Sequence, residues 1–259
     1  MTSKVVLPGT RLRQIRQTAP QFTEPLPADR GDYRERRSIL AEGEQALVSS
    51  MTPETAVFSP GSPIVEEGHQ STKLYRIVSG WVICRNTMLD GRTQVVSILV
   101  PGDTIGTKGL LTGSGSDLIE AHQATCLQSI SHARVLSLAA EDSNVAMWLL
   151  WYANQEHLRS DKWLTVLGQG NAIEKIAITL LDLYWRLRGV GLVGDGSVRL
   201  PLTQSIIGEH VGLTLPHVCR TLGILRERGG VYIRYGRIEI VDSDALRASA
   251  ADLADFWEG

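Results

Sequence analysis

Cysteine is scarce in this chain and scattered. The 259 residues hold three, Cys84, Cys126 and Cys219, none in a C-x-x-C pair. An odd, dispersed set excludes a disulfide framework and a cysteine-rich metal site. No run of about 18 apolar residues occurs, so no transmembrane helix and no membrane partner is expected. The opening MTSKVVLPGTRLRQIRQ lacks the apolar stretch of a secretory signal, and a soluble, cytoplasmic chain is expected. Catalytic signatures are missing as well. There is no HExxH, no GxSxG and no P-loop, and the six histidines are scattered. Gly189-x-Gly191-x-x-Gly194 spells a dinucleotide fingerprint, but it follows a helical segment and leads into DGSVRLPL, the reverse of the strand-then-helix order that cradles phosphate. Neither an enzyme, nor a bound metal, nor a cofactor is expected.

Charge of one sign is lacking overall, with a formal net of −2, but not locally. From Arg199 to Arg237 there are six arginines (199, 220, 226, 228, 234, 237), two acids (Glu209, Glu227) and no lysine. The excess of +4 over 39 residues fits a phosphate-binding surface or an ordinary solvated face, and charge alone does not choose.

The length fits about two domains. Residues 1–37 carry four of the ten prolines and little apolar periodicity, the composition of an extension that is disordered or packed on the body. A β domain is expected over 38–141. From Ala56 to Leu138 short β-branched runs are cut by glycine turns: PIVEEG, KLYRIVSG, WVICRNTMLDGRTQVVSILVPGD, CLQSISHARVLSL. Asp90-Gly91 between two apolar runs is a hairpin signal. This texture suggests an antiparallel, jelly-roll-like barrel. Residues 142–168 read as one long helix, free of proline, with apolar groups on most sides. Such a helix is packed on two surfaces: one against the β domain, the other against a second copy of the chain, with Trp148, Trp151, Tyr152 and Leu158 as the dimer residues. A single core helix in a monomer is the alternative. GQGNA (168–172) is the hinge into a C-terminal domain, 169–259, which begins with a helix from Ile173 to about Arg188.

That domain carries the decisive pattern. Thr203 can cap a helix QSIIGEHV, Gly212 ends it, and Thr214 caps a second helix, LPHVCRTLGILRER. Gly208 is small where the helices cross, Val211 and Val218 are apolar where they touch, and Pro216 falls in the first turn of the second helix, where a missing N–H costs little. VYIR and RIEIV around Tyr235-Gly236 then form a hairpin. Helix, turn, helix and hairpin within about 40 residues make a winged helix-turn-helix, far more specific than a lone helix-turn-helix match. Its second helix is expected in the major groove of double-stranded DNA, with Arg220 bidentate on guanine and Pro216 and His217 beside the bases. Thr203, Ser205, Thr214, Arg234 and Arg237 are candidate phosphate contacts; capping or plain solvation is the alternative for each. Cys219 is either a small filler or a redox-sensitive thiol on the DNA face.

Over about residues 55–250 the chain resembles the CRP/FNR family of bacterial transcription regulators. VEEG, LYRIVSG, DGR and PGDTIG resemble its cyclic-nucleotide-binding-like β-roll, and LPLTQSIIGEHVGLTLPHVCRTLGILRERGG with GRIEIVDSDAL resembles its winged helix. The resemblance implies an α+β chain of β-roll, dimerisation helix and winged helix-turn-helix, acting as a homodimer on a near-palindromic operator, with RNA polymerase a partner if the protein activates. Members that bind cyclic AMP carry Gly-Glu after PGD and an Arg-Ser pair on the phosphate. Here the first place reads Gly106-Thr107-Lys108 and the second falls in GSGSDLIEA, near Asp117 and Leu118. A carboxylate repels a phosphate, so control by cyclic AMP is not expected. Members that hold an iron–sulfur cluster cluster three cysteines near the N-terminus, which this chain lacks. Haem ligation by His69, His122 or Cys84 stays open beside a plain solvated or core role for each. The recognition helix also departs from the family, with Pro216 in place of the usual Glu and only Arg220 matching. The alternative function is a small-molecule sensor whose winged helix meets protein partners.

Overall fold

The computed structural model describes residues 30–69, 71–112, 117–234 and 237–258. Most of the 1–37 extension lies outside them. The chain groups into two compact units, and their boundary falls inside one helix, after Ala153.

The first unit opens with helix α1 (Arg30–Ser49). Strands β1 (Ala56–Phe58), β2 (Pro63–Val65), β3 (Lys73–Ser79), β4 (Val82–Thr87), β5 (Thr93–Leu99) and β6 (Thr104–Ile105) follow. Next come the short helix α2 (Thr107–Thr112), β7 (Leu118–Ala121), β8 (Thr125–Ser131), α3 (His132–Glu141) and the long α4 (Ser143–Gln169). Two four-stranded antiparallel sheets, ordered β1-β8-β3-β6 and β2-β7-β4-β5, form the expected β-roll. Alternation fills the space between them: Ile77, Val82, Cys84, Leu99, Ile105 and Leu127 are all buried in one cluster. Glycine turns set the strand breaks. At Gly106 φ is +96° and a Cβ would lie 2.5 Å from the Lys73 carbonyl oxygen, so no other residue fits without displacement.

Three expectations change here. The segment 30–37, expected within an extension either disordered or packed on the body, is the start of α1, whose Leu40 and Leu47 enter a core with Met51, Leu74, Ile130 and Val135. Its long polar stretches hide a period that only a partner surface makes useful. HARVLSL is not strand: Ser131 accepts from the Arg134 N–H as an N-cap, and Val135 and Leu138 are buried one turn apart on α3. Trp148 and Tyr152 do not face outward. Trp148 is only 2% exposed, within the core shared with α1, and stacks on Tyr152 with centroids 5.1 Å apart. The Tyr152 hydroxyl donates to the Thr104 carbonyl at 3.1 Å and accepts from its N–H at 3.0 Å. Large aromatics bury the most apolar area per residue and therefore go to the nearest core.

The second unit takes the rest of α4 and the segment Leu89–Val95, with residues 154 onward. It holds α5 (Ala172–Gly189), β9 (Val198–Leu200), α6 (Gln204–Val211), α7 (Leu215–Glu227), β10 (Val231–Arg234), β11 (Arg237–Ile240), α8 (Ser243–Ala250) and α9 (Asp252–Glu258). The hinge works through Asn171: its side chain caps α5 while Glu174 reaches back to the Asn171 N–H at 2.8 Å, a complete capping box. The buried run Ile176–Tyr184 makes α5 the central post. The wing has a third strand that the sequence did not announce, since β9 pairs with β11 in the order β10-β11-β9. VRL is too short to carry a pattern of its own. No helix among the described residues is long and apolar enough to cross a membrane.

Candidate nucleic-acid interface

The helix-turn-helix is built as its spacing predicts. Thr203 caps α6, its hydroxyl accepting from the Ile206 N–H at 3.3 Å. Gly212 closes the helix in the left-handed region, φ +69°, and its N–H and that of Leu213 return to the Gly208 carbonyl. At Gly208 a Cβ would stand 2.7 Å from the Leu213 carbonyl oxygen and 3.4 Å from a Val218 methyl, so the helices cross where only hydrogen fits. Thr214 differs from expectation. It occupies the N-cap of α7, but its side chain makes no capping bond. Pro216 removes one N–H that the hydroxyl would take, and the His217 N–H is taken by the Thr214 carbonyl at 2.9 Å. The exposed Thr214 hydroxyl is thereby left to the surface.

α7 has two sharply different sides. Val218, Thr221, Leu222 and Leu225 are buried. Pro216, His217, Cys219 and Arg220 are exposed, together with Arg226 and Arg228 further along. Thr203 and Ser205 are exposed at the start of α6, and Ser205 donates to Glu209 at 3.2 Å. The β10–β11 register puts Arg234 directly opposite Arg237, both exposed. Two like charges directly opposite across a ladder are a destabilising arrangement. The turn Tyr235-Gly236 lies outside the described residues. Arg199, part of the local excess, pairs with Glu239 at 3.3 Å, so the basic surface is smaller than the count of arginines suggests. Cys219 is exposed and its thiol donates to the Gln204 side-chain oxygen at 2.7 Å. Gln204 was not singled out by the sequence; its link to the outer face of α7 exists only once α6 and α7 cross.

Two family models match the two halves: the cyclic nucleotide-binding domain over residues 55–142 and the Crp-like helix-turn-helix domain over residues 174–249. The nitrogen fixation regulation protein FixK of Rhizobium meliloti strain 1021 is 32% identical over 195 residues, which span 74% of this chain and 85% of that one. The chain belongs to the CRP/FNR family of transcription regulators. FixK of Azorhizobium caulinodans is 28% identical over 236 residues, 88% of this chain and 92% of its own. The solved structure of FixK2 from Bradyrhizobium japonicum superposes with a TM-score of 0.69 at 26% identity, over 78% of this chain and 98% of that one. This CRP/FNR regulator is thus a DNA-binding transcription regulator with a cyclic-nucleotide-binding-like domain.

In that domain two ion pairs flank the segment where the family resemblance implies the phosphate-binding residues. Lys108 on α2 reaches Asp117 at 2.8 Å, and Asp117 is almost covered, its side chain 11% exposed. Arg85 on β4 is ion-paired with Glu120 on β7, both largely covered. The loop 113–116 between α2 and β7 lies outside the described residues. Lys108 and Arg85 thus each have a carboxylate of the protein itself as partner. Among the described residues no cluster of His, Cys, Asp and Glu could hold a metal ion.

The CRP/FNR winged helix also contains a charge cluster that the sequence did not reveal. Asp182 on α5 is buried and lies 3.1 Å from Arg186 and 3.5 Å from Arg159 of α4. Burial pushes its carboxyl up, but the two guanidiniums outweigh it and hold it below the usual range. No spacing rule would have paired Arg159 with Asp182, because the contact joins two helices.

Proposed function

We propose that this chain reads a near-palindromic operator as a homodimer, with α7 of each copy in the major groove and without control by cyclic AMP. Arg220 is the base-reading residue, forking onto the O6 and N7 of guanine, with Pro216 and His217 lining the same edge. Thr203, Ser205, Thr214, Arg234 and Arg237 carry phosphate contacts that fix orientation and give the binding its salt dependence. Cys219 lies among these residues, where a change in its oxidation state would alter the surface offered to DNA. The observation that carries the reading is the exposure of Pro216, His217, Cys219 and Arg220 on one side of a helix whose other side is locked by Val218, Leu222 and Leu225.

Dimerisation uses the outer side of α4. Met147, Leu150, Leu158 and Leu164 are 49–70% exposed, and at about 100° per residue they fall within roughly a third of the helix circumference. Of the four aromatic and apolar residues expected there, Leu158 lies in this stripe and Trp151 is half-buried at its edge. Asn154 and Asp161 interrupt the stripe, a pattern that fixes register at a cost in stability. Independence from cyclic AMP is supported by the Lys108–Asp117 and Arg85–Glu120 pairs in place of a phosphate site.

The test is selection of bound sequences from a random duplex pool by the purified protein. A guanine-containing inverted repeat is expected, lost when Arg220→Ala replaces the wild type. Recovery of the same motif at the same strength by the variant overturns the assignment of Arg220. Sedimentation of Leu150→Asp should show monomer where the wild type shows dimer; an unchanged dimer overturns the role of α4.

A further inference from the structure

His210 closes α6 and is 6% exposed, an unusual place for a titratable ring. Its Nδ1 lies 3.0 Å from the Val95 carbonyl oxygen. A carbonyl only accepts, so the ring carries its proton on Nδ1 and donates it. Across the same junction the Gln94 amide donates to the His210 carbonyl at 3.0 Å. These two reciprocal bonds fasten α6 to Leu89–Val95, a segment from the middle of the sequence that groups with the second unit. On its other side the imidazole meets the Trp163 indole of α4 edge to face, with centroids 4.6 Å apart, and Trp163 in turn meets Trp257 of α9 at 4.8 Å. One ring thus sits where α4, α6 and the Leu89–Val95 segment converge, and α6 is the helix that crosses α7 at Gly208.

We propose that His210 is a positioning residue for DNA binding: neutral, it pins α6 to the Leu89–Val95 segment and so sets the platform for α7; protonated, it releases that pin. The inference rests on DNA binding through α6 and α7 and is independent of which α7 side chain reads the bases.

The charges around the ring explain why a proton is unwelcome. Asp182 and Arg186 act on it from α5, Arg159 stands beside Asp182 from α4, and Lys162 of α4 donates to the Trp257 carbonyl. Gln94 and Val95 bring no charge. Three cations and one carboxylate already occupy the neighbourhood, so a fourth positive charge would be buried with no carboxylate of its own. Burial pushes the His210 ring below its ordinary 6.5; the Val95 carbonyl and Asp182 pull the other way without prevailing. The sign follows. The unfolded or locally opened ring takes a proton below 6.5 and the pinned ring does not, so the pin holds above that pH and weakens as pH falls.

Local hydrogen exchange of the full-length protein tests this. Global stability would mix two signals, because burial also depresses His132 at the start of α3. Duplex affinity alone would mix the pin with the contribution of the α7 side chains themselves. In the wild type, protection of the 204–211 amides, corrected for intrinsic rates, should fall by up to about tenfold per pH unit below about 6.5. His210→Gln keeps a donor but cannot titrate, and should flatten that response. Gln94→Ala should lower protection at about pH 7.5 by roughly two- to tenfold, the loss of one hydrogen bond, keep the acid response, and weaken duplex binding in parallel. A wild-type profile that stays flat, or a His210→Gln profile that tracks the wild type, overturns the switch. Unchanged protection and duplex affinity in Gln94→Ala overturn the pin.

Discussion

The winged helix and the β-roll both match their family's domains, yet they display their charged groups in opposite ways. In the winged helix the groups proposed to meet DNA stand on the surface where the spacing puts them: Arg220, His217 and Thr214 are exposed, and the helix beneath is fixed by Val218 and Leu222. In the β-roll the strands, the sheet order and the turn at Gly106 are intact, and the charged groups Lys108 and Asp117 pair with each other. The difference teaches that a scaffold and its ligand site answer to different constraints. A scaffold rests on dozens of apolar contacts and a few obligatory glycines, and no single one decides it. A ligand site rests on two or three charged groups, and replacing one of them ends the chemistry without disturbing the fold.

The largest expected effect falls on the winged helix. Asp182→Asn leaves Arg186 buried and Arg159 beside it without their carboxylate, and should cost about 3–5 kcal/mol. Denaturant unfolding followed by a probe in each unit should show the second unit melting early and the β-roll nearly unaffected; equal loss in both would erase the contrast between them. Gly208→Val comes next. The added side chain would press on the Leu213 carbonyl and Val218, at about 2–3 kcal/mol, with duplex binding lost in gel shift even where the chain stays folded. Arg220→Ala should leave stability unchanged and weaken operator binding by about 1–3 kcal/mol, read by anisotropy against matched and mismatched duplexes. The smallest effect sharpens the other side. Cyclic AMP at millimolar concentration should give no heat of binding and no change in operator affinity. A measurable response would mean that the β-roll still holds a phosphate despite Asp117.

Much of this could be read along the chain. The α6 and α7 segments, the hinge before α5 and the Asp90-Gly91 turn each depend on neighbours within a few residues, and sequence carries such local rules directly: Gly212 in the left-handed region, Asn171 with Glu174, Thr203 with the Ile206 N–H. The misreadings are of another kind. Trp148 and Tyr152 looked like one helix's sticky outer side, but which side of an all-round apolar helix meets the core depends on what lies beside it. α1 escaped notice because its buried positions gain meaning only from the β-roll they cover. Thr214 has the residue type of a cap without the bond, because the proline two places on took away an N–H.

By itself the sequence determined the succession of β domain, long helix and winged helix-turn-helix, and the family, since capping, turn and alternation rules act over short separations and survive in a single chain. Only the tertiary structure decided the Asp182–Arg159–Arg186 cluster, the clasp of Gln94 and Val95 on His210, and the Lys108–Asp117 and Arg85–Glu120 pairs. Each joins residues far apart in sequence, and a charge or a ring acquires its protonation, its partner and its use from the space around it.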